Sequence, residues 1–144
     1  MKKEIIDILV NEDKLRIRDI DWAKVKSMID SAKTNAGVIK SLILNQDSST
    51  IIFREIYESL RQLGDAKWWS IGYEPKNHEV SMDILQEMEI KDKLLLNQLP
   101  RIKKIRHDAN YRGFKVNTSQ AEEIMMIWDK CSEEIINLII KNKK

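Results

Sequence analysis

Residues 22–43 read "WAKVKSMIDSAKTNAGVIKSLI". The apolar positions are Trp22, Val25, Ile29, Ala32, Ala36, Ile39 and Ile43. The steps between them alternate three and four without a slip. On a 3.6-residue period that spacing draws one narrow stripe along one face of a long helix. The expected helix spans 21–45, with Asp21 as its N-cap. The polar run Asn45-Gln46-Asp47-Ser48 then breaks the pattern.

The same periodicity recurs along the chain. A second helix is expected over 49–63, with Ile52, Ile56, Leu60 and Leu63 inward. Gly64 interrupts it, and "AKWWSIG" carries it on to Ile71. Trp68 and Trp69 point about 100° apart on such a helix, so one suits the core and the other covers a neighbour. Gly72 and Pro75 mark a turn, and Asn77 caps a short helix over 78–88. A further helix covers 92–111, buried through Leu95, Leu99, Ile102, Ile105 and Ala109. Pro100 inside it should cause a kink, and Gly113 marks its end. Ser119-Gln120-Ala121-Glu122 has capping-box spacing and opens a last helix with Ala121, Ile124, Trp128, Cys131, Ile135 and Leu138 inward. Met82, Met88, Met125 and Met126 fall at helical spacing and suit core filling.

Composition agrees with helices. Four glycines and two prolines in 144 residues are too few for a sheet joined by tight turns. Hydrophobic residues at 42% and charged residues at 33% suit one domain with one core. The expected fold is all-α, an antiparallel up-and-down bundle of four to five helices. It is a single domain over 1–144, with residues 1–18 as an N-terminal extension and 141–144 as a frayed tail. The opening "MKKEIIDILVNEDK" is too short in its apolar run, and too acidic, for a signal peptide. No run reaches membrane-spanning length. The lone Cys131 makes no internal disulfide and fits a reducing cytoplasm.

Net charge is only +2, so a case for a polyanionic ligand rests on local clustering. The cluster is "RIKKIRHDANYRG", 101–113. From Arg101 to Lys115 the cations are Arg101, Lys103, Lys104, Arg106, Arg112 and Lys115, against Asp108 alone. A solvated helix face would account for this much. His107 and Tyr111 add a titratable group and a stacking ring among the guanidinium groups, a mixture suited to phosphates and unstacked bases. His78, the other histidine, falls at a helix start, where the dipole disfavours its protonated form; a helix-end histidine satisfied by local hydrogen bonds is its structural reading. A glycine-rich phosphate loop, paired-histidine metal spacing and a nucleophile elbow are absent. No metal site and no cofactor are expected.

Taken in order, these features resemble the HEPN domain (higher eukaryotes and prokaryotes nucleotide-binding). Arg54 and Tyr57 match an Arg and a Tyr in the second helix, and Gly72 with His78 match a Gly followed closely by a His. "RHDANY" at 106–111 matches an Arg-rich helix end, and Val116 leads into a capped last helix beginning with Ala121. The resemblance covers about 20–140. It implies a helical homodimer that binds nucleotide or RNA. Many members are metal-independent ribonucleases, often toxins paired with a nucleotidyltransferase-like antitoxin. In active members an Arg is followed by a polar residue and, a few residues on, by a His. Arg holds the scissile phosphate, and His moves a proton.

This chain departs from that pattern. Counting from Arg106, His107 takes the polar place, but Tyr111 stands where the His belongs. A phenol with a pKa of about 10 is a poor base at neutral pH. A second frame runs from Arg101 to His107, with apolar Ile102 in the polar place. The Arg106 frame is preferred, because "A-x-Y" follows it. The resemblance thus implies phosphate or base contacts from Arg106, Tyr111, Arg112, Lys103 and His78. Catalysis would fall to Arg106 with His107 or Tyr111. A non-catalytic partner of a nucleotidyltransferase-like protein is the remaining alternative.

Overall fold

The computed structural model describes residues 1–143, and most of the chain is helical. The elements in order are α1 (Lys3–Asn11), β1 (Leu15–Ile17), α2 (Trp22–Lys40), α3 (Ser49–Ser70), β2 (Tyr73–Pro75), α4 (His78–Gln86), α5 (Lys93–Leu96), α6 (Leu99–Tyr111) and α7 (Thr118–Lys141). The helical class read from periodicity holds, with one addition: β1 and β2 pair antiparallel, Leu15 opposite Pro75 and Ile17 opposite Tyr73. No helix among the described residues is long and apolar enough to cross a membrane.

Helix α3 is the central element. It packs against α2 along one side and against α7 and α4 on others. Ile52, Phe53, Ile56, Tyr57, Leu60 and Leu63 are all buried. They meet Val25, Ile29, Ala32 and Ala36 of α2, and Ile124, Trp128, Cys131 and Ile135 of α7, in one apolar cluster. Burial pushes the Cys131 thiol up to about 11, so it is an inert core residue. Of the four methionines expected as filler, Met82 and Met88 are buried and Met125 is half-buried, while Met126 faces solvent.

A second, smaller cluster joins Ile6 and Leu15 to Trp68, Val80 and Ile84. Residues 1–18, set apart above as an extension, thus form α1 and β1 and cover the far end of α3. The paired tryptophans divide as their geometry requires. Trp68 is fully buried, and its indole N–H donates to the Val80 carbonyl at 2.8 Å. Trp69 faces the main cluster with the Lys24 ammonium 4.1 Å from a ring centroid.

Several helix boundaries correct the sequence reading. Asp21 caps α2 as expected, accepting from the Lys24 N–H at 3.0 Å. The helix stops at Lys40, short of 45, and Ile43 is 82% exposed. Side chains of the following turn take over the backbone: Ser48 Oγ donates to the Ile43 carbonyl at 2.6 Å, and Asn45 Oδ1 accepts from the N–H groups of Asp47 and Ser48. Such local bonds compete with the helical ladder. Pro100 does not kink a long helix. The chain breaks between α5 and α6, and Pro100 sits in the first turn of α6, where its missing N–H had no helical partner to lose. The capping box of α7 lies two residues earlier than the serine suggested. Asn117 accepts from Gln120 N–H at 2.8 Å, and Gln120 Oε1 accepts from Asn117 N–H at 3.1 Å. Helix α7 runs to Lys141; of the tail expected to fray, Lys144 lies outside the described residues.

Gly64 does not interrupt α3. A Cβ there would fall 2.1 Å from the Ser81 carbonyl oxygen. The glycine permits a close approach of α3 and α4.

Candidate functional site: a cationic groove on helix α6

Helix α6 turns Leu99 and Ile102 into the core. One turn round, Lys103, Arg106, His107 and Tyr111 share a face at three- and four-residue spacing. That face forms one wall of a groove of about 810 Å³. Tyr57 of α3 and His78 and Glu79 at the start of α4 form the rest. Asn77 fixes that start by accepting from the Val80 N–H at 3.0 Å. Every residue expected at the site lines this one groove: Arg106, His107, Tyr111, Arg112, Lys103 and His78.

Arg106 lines the groove against Tyr57. Its guanidinium carbon lies 5.0 Å from the centroid of the buried Tyr57 ring, the geometry of a cation on an aromatic face. Arg106 has no carboxylate within ion-pair distance among the described residues. Burial raises the Tyr57 hydroxyl pKa against the pull of the Arg106 charge, so the phenol stays protonated.

The other cations are less free. Lys103 pairs with Glu79 at 3.1 Å across the groove. Arg112 is 3.8 Å from Asp108, a loose contact on an exposed surface. Arg101 is engaged by Glu123 of α7 and by Gln98, and does not line the groove. The frame from Arg101 to His107 is therefore split between two surfaces, whereas Arg106, His107 and Tyr111 stay together. Lys115 lies outside as well, 4.0 Å from Asp47. Arg54 is exposed and forms no part of the wall.

Tyr111 is 72% exposed, and its ring centroid is 4.9 Å from that of His107, the planes tilted by 43°. Two aromatic faces thus stand at the rim, next to a guanidinium. His78 is exposed, yet partial desolvation lowers its pKa, and the positive charges of Arg61 and Arg106 lower it further, against the opposing pull of Glu58 and Asp65. His78 is therefore a neutral acceptor or donor at neutral pH.

Behind this wall lies an ionic cluster that sequence reasoning missed. The Arg61 Nε–H donates to Glu58 at 3.0 Å, a second N–H reaches the same oxygen, and a third donates to Asp65. Ser81 donates to the other Asp65 oxygen, tying α4 to α3. The signal was present as "ESLRQLGD", 58–65, with acids three residues before and four after an arginine, the spacing of intrahelical ion pairs. Among the described residues no three His, Cys, Asp or Glu side chains group as metal ligands.

No protein-family model matches this chain, and neither does any curated protein or any solved structure.

Proposed function

We propose that the protein is a HEPN-like helical-bundle protein that binds a nucleotide or single-stranded RNA in the α6 groove, as a homodimer. The observation that carries this reading is the unpaired Arg106 guanidinium on the Tyr57 ring, with the exposed His107–Tyr111 pair beside it. A guanidinium already oriented by an aromatic face is a fork for phosphate oxygens, and charge-assisted bonds of that type are among the stronger ones. An exposed ring at its side stacks an unpaired base. A duplex keeps its bases stacked inward, so this combination favours single strands. Lys103 and Arg112, both within reach of carboxylates, act as exchangeable contacts along the backbone.

A labelled single-stranded oligoribonucleotide tests this by fluorescence anisotropy. Binding should weaken steeply as salt is raised, because counterions are released when phosphates are neutralised. Arg106→Ala should reduce affinity by about tenfold or more. If neither RNA nor a mononucleotide binds at low salt, this reading fails and a protein-partner role replaces it.

A second reading, a metal-independent endoribonuclease, is favoured by one feature: His107 and His78 line the same groove as Arg106. A neutral imidazole accepts a 2′-hydroxyl proton while the guanidinium steadies the phosphate. It requires RNA cleavage in the presence of EDTA that disappears in Arg106→Ala and in His107→Ala.

A further inference from the structure

The freedom of Arg106 needs an explanation, because an acid is next in sequence to the ring it covers. Glu58 follows Tyr57, and its carboxyl is held below its usual range first by the Arg61 hydrogen bonds and, least of the contributions, by the Arg106 charge. A half-buried arginine ordinarily pairs with a carboxylate it can reach. Here Glu58 is taken by another arginine. Arg61, one turn further along α3, takes one Glu58 oxygen with two of its N–H groups and turns a third to Asp65. The Arg61 side chain is only 17% exposed, and Asp65 is itself anchored by Ser81 across the α3–α4 contact. The fork is therefore braced from two elements.

We propose that Arg61 is a positioning residue for the groove: by holding Glu58 on the α3 wall, it keeps that carboxylate off Arg106 and leaves Arg106 open to phosphate. This rests on the reading above, in which Arg106 is the phosphate contact. Without Arg61, Glu58 is free to turn toward the guanidinium that covers the neighbouring Tyr57 ring. The new pair competes with phosphate for the same N–H groups. Partly exposed ion pairs imply a competition of about fivefold in affinity.

The test combines two readouts. Affinity for a fluorescein-labelled single-stranded oligouridylate is measured for wild type, Arg61→Gln, Arg61→Gln/Glu58→Gln and Arg61→Gln/Asp65→Asn. The two double variants carry the same net charge. Arg61→Gln should lose about fivefold, and only the variant lacking Glu58 should regain wild-type affinity. Equal recovery in both doubles would mean that general electrostatics governs binding, and would overturn the proposal. The second readout needs no ligand. Proton exchange at arginine Nε–H, followed by NMR and assigned with Arg106→Ala, should be slow for Arg61 and fast for Arg106 in wild type. In Arg61→Gln the Arg106 signal should become slow. A slow Arg106 signal in wild type overturns the proposal, even if Arg61→Gln fails to fold. If wild type binds no RNA, the functional reading falls while the exchange measurement still decides the role of Arg61.

Discussion

Replacing the Trp68 indole by a phenyl ring would leave the Val80 carbonyl without its donor inside the smaller apolar cluster. Trp68→Phe should lower unfolding free energy by about 2 kcal/mol, read from urea denaturation, combining a lost buried hydrogen bond with lost volume. His78 offers a test by pH. Its folded pKa lies below its ordinary value, first through partial desolvation and then through the Arg61 charge. The unfolded chain therefore binds the proton more readily. The stability His78 contributes is complete above about pH 6.5 and is lost as pH falls below that value. The denaturation midpoint should drop between about pH 7.5 and pH 5.5, and drop less in His78→Gln. An NMR titration should place the His78 midpoint below that of a free histidine. The α6 residues that line the groove were legible because arginine, histidine and tyrosine are sparse enough for their crowding at 101–113 to stand out. What could not be read was which cations are already engaged. Arg101 and Arg106 look alike in sequence, yet Glu123, twenty-two residues away, neutralises one and leaves the other.

Helices were legible where apolar periodicity was strict, and their ends were not. Periodicity reports a buried face; it does not report the side-chain bonds of Asn45, Ser48 and Asn117 that stop or start the coil. The short sheet escaped notice because three-residue strands carry no countable alternation. Gly64 was misread for a related reason. In sequence a glycine inside a helical pattern signals a break; in space it permits contact with Ser81. Gly64→Ala should therefore destabilise by about 2 kcal/mol or more, despite the better helix propensity of alanine, because the added methyl meets backbone that cannot rotate away. Circular dichroism with urea is sufficient to measure this. A stabilised variant would mean that the two helices are not in that contact.

Across the chain, the proposed groove is unequally walled: α6 supplies most of it, with only Tyr57, His78 and Glu79 opposite. In the proposed homodimer a second copy would enclose this open cleft. Analytical ultracentrifugation at micromolar concentration should find a dimer. Arg112→Glu, which reverses charge at an exposed rim position, should weaken both oligonucleotide binding and its salt sensitivity. The overall helical class followed from composition and period, whereas the packing of α4 on α3 includes a glycine contact that no local pattern reveals.

The pairing of β1 with β2 reaches further than its six residues suggest. The Lys76 N–H donates to the Lys14 carbonyl at 2.9 Å, two positions ahead of the histidine at the rim. A protease that clipped the chain before residue 20 would thus cut a tether as well as a terminus. Capture of the proposed ligand would then falter through slackening of a corner of the mouth, although no residue lining the groove had been removed.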